Sequence, residues 1–142
     1  MEKRTYIVGG ALIAILIIVV LLLAYVPREG GNQASGAVQL AATDNGRTIK
    51  LTIGQVVTIT LEANPTTGYT WDVVEPLSGP VMRQVGEIEF ESESDAIGAG
   101  GVQTVRFEVV NAGQTALTLV YHRPWETDVE PLKTFAIHVV AR

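Results

Sequence analysis

The chain has 142 residues, 47% of them hydrophobic and 18% charged, with a formal net charge of −5 and no cysteine. No disulfide framework, thiolate zinc site or catalytic thiol can be built from it, and with His122 and His138 as its only imidazoles no metal site is expected. The acidic balance argues against nucleic acid as a partner, because a phosphate-tracking surface needs clustered Lys and Arg.

Residues 6–26, YIVGGALIAILIIVVLLLAYV, carry no charge. At about 1.5 Å per helical residue, such a run crosses a hydrocarbon core of roughly 30 Å. It is longer than the apolar core of a cleaved secretory signal, so residues 1–26 are expected to form one N-terminal transmembrane helix, a signal anchor holding the membrane through residues 6–26. Lys3 and Arg4 precede the run and Arg28 follows it. That bias leaves the N-terminus in the cytoplasm and the rest on the extracytoplasmic side. Cleavage after Ala24 or near Gly36, where small residues occur, is the alternative and would release a secreted domain. Residues 27–36, PREGGNQASG, read as a flexible linker. Beyond it, residues 32–142 hold 7 Lys and Arg against 13 Asp and Glu, which makes anionic lipid a poor partner for the folded part.

From Ala37 the pattern changes to period two. In QVVTITLE, Val57, Ile59 and Leu61 alternate with Thr58, Thr60 and Glu62, which predicts one buried and one wetted face. The same alternation recurs at Val105, Phe107 and Val109, at Leu117, Leu119 and Tyr121, and at Phe135, Ile137 and Val139. Strands are expected at about 37–41, 48–53, 55–62, 69–74, 83–91, 101–110, 115–122 and 133–141. Eight short strands in such a length predict an all-β fold, an immunoglobulin-like antiparallel β-sandwich spanning residues 37–142. Trp71, just inside a strand, is expected in or near its core.

Three connections differ from ordinary turns. In Asn64-Pro65-Thr66-Thr67-Gly68-Tyr69, proline fixes its own φ and restricts Asn64 to extended backbone, while Gly68 allows a positive φ or a close approach; the loop is stiff at both ends, with two hydroxyls at its tip. Its bland reading is a structural hairpin turn. Before the second loop, Glu87, Glu89, Glu91, Glu93 and Asp95 alternate along the chain with Ile88 and Phe90. A solvated strand face that discourages edge pairing explains them better than calcium, which needs carboxylates converging from several directions. Gly98-Ala99-Gly100-Gly101 then leaves the backbone bare, either as a mobile linker or to offer N–H and C=O groups to an extended partner. Finally, Arg123-Pro124-Trp125 joins two frequent interface anchors through a rigid residue, although a loop tryptophan also serves to cap a sandwich. Neither histidine has an evident acid or nucleophile partner in sequence, and no catalytic constellation emerges.

Taken in order, NPTTGY, GAGG and RPW resemble the motifs of the chagasin family of cysteine-protease inhibitors, whose pattern is NPTTGY/F, GxGG and RPW/F. All three match without departure, and the resemblance covers residues 37–142. It implies an immunoglobulin-like sandwich whose three loops cluster at one end as a wedge for the cleft of papain-like cysteine peptidases, without cofactor or catalytic residue. Carried over, Asn64, Pro65, Thr66, Thr67, Gly68 and Tyr69 form the central element, with Thr66 and Thr67 nearest the enzyme's cysteine and histidine. Gly98, Ala99, Gly100 and Gly101 lie along the non-primed side, and Arg123, Pro124 and Trp125 clasp the other. The competing reading is a membrane-tethered adhesion or ligand-binding sandwich, which accounts for the anchor and the β pattern but not for three such loops together.

Overall fold

The computed structural model describes residues 36–74 and 80–142. The expected anchor, residues 1–26, and all of the linker except Gly36 lie outside the described residues. Nine strands are present among those described: β1 (Val38–Leu40), β2 (Thr48–Leu51), β3 (Val56–Ala63), β4 (Thr70–Val73), β5 (Met82–Gln84), β6 (Glu89–Ser92), β7 (Gly101–Val109), β8 (Gly113–His122) and β9 (Lys133–Ala141). Short 3₁₀ turns cover Ala42–Asp44 and Pro65–Thr67.

The alternating positions decide which face is buried. Val57, Ile59 and Leu61 of β3, Val105, Phe107 and Val109 of β7, Leu117, Leu119 and Tyr121 of β8, and Phe135, Ile137 and Val139 of β9 are all buried in one cluster, joined by Trp71. At ~25 cal/mol per Å² of apolar surface, this filling between two sheets is the main term holding them together.

One sheet runs β1-β3-β7 with β5 and β6 sharing the far side of β7; the other runs β2-β9-β8-β4. Two expectations need correction. The sandwich is mixed, not purely antiparallel: β1 pairs with β3 in parallel, and so does β2 with β9. The chain leaves β1, crosses to the opposite sheet as β2, and returns as β3 beside β1, a crossover that sets parallel neighbours in one sheet. The strand expected at 83–91 is broken into β5 and β6. Gln84 faces Phe107 while Glu89 faces Thr104, where an unbroken ladder would set Glu87 opposite Thr104; two extra residues are thus taken up at a bend where Gly86 has φ +73°. Glu87 therefore precedes the strand; Glu89 and Glu91 stand on it, exposed, and Glu89 pairs with Arg106 at 3.0 Å.

Register brings the three loops to one end. Ala63, last in β3, faces Gly101, first in β7, so the 64–69 and 98–101 loops leave from neighbouring strands. Thr70, first in β4, faces His122, last in β8, which brings the end of the first loop beside the start of the third.

Candidate functional site

The Asn64–Tyr69 loop is built around its first residue. Asn64 has φ −137° and ψ 89°, its Oδ1 accepts from the Thr66 N–H at 3.2 Å and from the Thr66 hydroxyl at 2.5 Å, and its carbonyl accepts from the Thr67 hydroxyl at 2.6 Å. This is an N-cap on a single turn, with Pro65 at the position where a missing N–H costs nothing. Gly68 ends the turn at φ +83° and donates its N–H to the Pro65 carbonyl at 2.9 Å. Pro65, Thr66 and Thr67 are exposed at the tip. Both threonine hydroxyls, which the sequence offers as free groups, donate to Asn64.

The other two loops are fastened to this turn. Asn64 Nδ2 donates to the Gly98 carbonyl at 3.3 Å. Arg123 Nε donates to the Thr67 carbonyl at 3.1 Å, its Nη1 reaches Glu126 Oε1 at 3.1 Å, and its guanidinium lies 4.6 Å from the centre of the Tyr69 ring. Trp125 packs its six-membered ring over Gly68: a Cβ built on Gly68 would come within 2.2 Å of Trp125 Cη2. The indole is nonetheless 67% exposed, so it lies on the wedge instead of capping the sandwich.

The three glycines of the second loop have different reasons. Gly98 has φ +80°. A Cβ on Gly101 would lie 2.0 Å from the Glu91 carbonyl oxygen of the paired strand, so the close approach of β6 demands a bare α-carbon. Gly100 is under no such constraint: a Cβ there would make an ordinary contact of 3.6 Å with the Ala63 carbonyl oxygen.

Behind the loops stands Tyr121, whose role the sequence signals only as a core position. Its phenol oxygen accepts the Asn64 N–H at 2.9 Å, and its ring stacks on Tyr69 at 5.4 Å and tilts against Trp71 at 5.1 Å. Arg123, Tyr69, Tyr121 and Trp71 thus form a continuous pile from wedge to core. Glu126, outside every motif, holds the outer end of that pile. Exposed apolar side chains flank the loops along the chain, Ile97 before Gly98 and Val129 and Leu132 after Trp125. His122, without a partner in sequence, meets Asp72 across β4 and β8, Nε2 to Oδ2 at 2.8 Å.

All thirteen motif residues therefore gather at one end of the sandwich, with Asn64–Tyr69 in the middle and the others fastened to either side. The family model "Chagasin family peptidase inhibitor I42" matches residues 50–139, a range that takes in all three loops. Chagasin from Trypanosoma cruzi is 32% identical over 100 residues, 68% of this chain and 91% of that protein. The solution structure of amebosin shares 27% identity at a TM-score of 0.62, over 75% of this chain and 99% of that one. The crystal structure of the cysteine protease inhibitor EhICP2 from Entamoeba histolytica, at 24% identity, is alike in fold, with a TM-score of 0.66 over 75% of this chain and 96% of that one. The chain belongs to the chagasin family of peptidase inhibitors.

Proposed function

We propose that this protein is a reversible, tight-binding, competitive inhibitor of papain-like cysteine peptidases, and that it blocks their active-site cleft with the wedge made by residues 64–69, 98–101 and 123–125. The observation that carries the reading is the fastening of both outer loops to the central turn, Asn64 to Gly98 on one side and Thr67 to Arg123 on the other. Loops already locked in the unbound molecule lose little freedom on docking, which favours affinity.

The same geometry explains why such a wedge resists cleavage. A peptidase attacks a carbonyl presented in an extended segment, whereas this tip is a closed turn ending in a left-handed residue. The carbonyls of Asn64, Pro65 and Thr67 already accept internal hydrogen bonds, from the Thr67 and Gly68 N–H groups and from Arg123. Opening the turn to present one of them breaks those bonds and releases the contact between Trp125 and Gly68. Thr66 and Thr67 then meet the nucleophile, filling the cleft without offering a scissile bond.

The uncharged run at 6–26, flanked by Lys3 and Arg4, supports a membrane anchor with the inhibitor domain on the extracytoplasmic side. A reporter joined to Arg142 should be active only outside the cytoplasm; cytoplasmic activity alone would reverse the topology.

Titrating papain with the full chain in non-denaturing detergent tests the function. Stoichiometric loss of activity is expected, with the apparent KM rising and kcat unchanged, and activity returning on dilution. Undiminished activity, or steady cleavage at residues 64–69, would overturn the reading.

A further inference from the structure

The loops of the wedge are not carried by one rigid sheet. Residues 98–101 join β6 to β7 in the first sheet, residues 123–125 lie between β8 and β9 in the second, and residues 64–69 cross from β3 in one to β4 in the other. The shape of the wedge therefore depends on how the two sheets are set against each other at this end. Apolar packing holds sheets together but is non-directional, so it resists separation more than sliding.

Directional bonds between the sheets are found at the loop end. Gln103, two residues past Gly101 on β7, is one of two buried polar side chains among the described residues and is 8% exposed. Its amide spans the gap to β4, an edge strand of the second sheet: Oε1 accepts the Trp71 backbone N–H at 2.9 Å, and Nε2 donates to the Thr70 hydroxyl at 2.9 Å. Beside it, the Trp71 indole Nε1 donates to the Glu62 carbonyl of β3 at 3.0 Å. Thr70 and Trp71 directly follow Tyr69, so one side chain ties the root of the central loop to the root of the glycine loop. A buried primary amide is expensive unless it is bonded, and the family motifs give no reason for it.

We propose that Gln103 is a positioning residue for inhibition: it sets the register of the two sheets at the wedge end and so keeps the glycine loop and the central loop in the arrangement that fits the cleft. It rests on the inhibitory reading above, and it predicts that loss of the amide leaves a folded sandwich whose competent wedge is only fractionally populated, weakening inhibition by that fraction.

Gln103→Met keeps length and apolar volume and removes both bonds; Gln103→Glu keeps an acceptor for the Trp71 N–H and another for the Thr70 hydroxyl. With the full chain in detergent, Gln103→Met is expected to stay folded, to raise the inhibition constant against papain tenfold or more, and to show amide shift changes in both 64–68 and 98–101. Gln103→Glu, of the same shape as the native side chain, should recover part of the inhibition that Gln103→Met loses, limited by the cost of burying its charge. Equal inhibition by Gln103→Met, with the Trp71 amide newly open to hydrogen exchange, would overturn the proposal. Should the unsubstituted chain not inhibit papain, the functional reading falls first, and Gln103 is then judged by the amide shifts alone: changes confined to Thr70 and Trp71 would overturn the positioning role. If Gln103→Met does not fold, Thr70→Val removes one bond only and should raise the inhibition constant threefold or more; no rise refutes the role.

Discussion

Gly100 and Gly101 are adjacent and identical, yet an added side chain would make only ordinary contacts at one and run into the backbone of a paired strand at the other. A methyl on Gly101 would lie 2.0 Å from the Glu91 carbonyl oxygen and 2.9 Å from the Phe90 ring. Ordinary contact begins near 3.4 Å, so β6 must withdraw by more than an ångström from the strand it pairs with. Overpacking of that size costs about 1–3 kcal/mol, which for a domain of ~100 residues lowers Tm by roughly 5–20 °C. A methyl on Gly100 meets the Ala63 carbonyl oxygen at 3.6 Å and Asn64 Nδ2 at 4.0 Å, with φ outside the left-handed region. Gly100→Ala should therefore leave Tm unchanged or raise it slightly, by up to about 1 kcal/mol of stability, because the unfolded chain loses freedom. Against a peptidase the ranking changes. If the bare backbone at 100 lies against the enzyme's own backbone, a methyl between them forces the two apart and the inhibition constant should rise at least tenfold, about 1.4 kcal/mol. Thermal unfolding and papain titration on both variants check this. A stable Gly100→Ala that inhibits as well as the parent would remove the glycine loop from the contact, and a Gly100→Ala that melts far below it would refute the account of loop packing.

Trp125→Ala should weaken inhibition by about 2 kcal/mol or more, roughly 30-fold, with little change in Tm because the indole is largely exposed; an unchanged inhibition constant would take Trp125 out of the site. Tyr121→Phe keeps both ring contacts and removes only the acceptor of the Asn64 N–H, so urea unfolding should show a loss of about 1 kcal/mol, and no loss would mean that water replaces the phenol. The Ala41 N–H, then Arg47, hold the Asp44 carboxyl below its ordinary value of 3.8. Its stabilisation is present above that value and is lost as pH falls through the lower folded value, so Asp44→Asn should flatten the acid limb of the urea midpoint below about pH 4; an unaltered limb would show that the pairing does not act in solution.

Some of this molecule is legible in the chain alone. Period-two alternation named the buried faces of β3, β7, β8 and β9, because a strand's geometry sends successive side chains to opposite sides whatever its neighbours are. Pro65 and Gly68 marked a stiff turn, since proline and glycine act on their own backbone, and the three motifs sufficed to suggest a family. The direction and partner of each strand lay beyond that reading, because alternation encodes a face and not a neighbour. Hence the parallel pairings of β1 and β2, and the two-residue offset along β7 that splits β5 from β6, appear only in the assembled sheets. Arg123 reads in sequence as a group for a partner, yet it is turned onto Thr67, Tyr69 and Glu126, and His122 finds Asp72 from fifty positions away. Such contacts depend on which strand ends the fold brings side by side. For the same reason Tyr121 and Gln103, which in sequence are no more than positions on strands, become the groups that hold the wedge together.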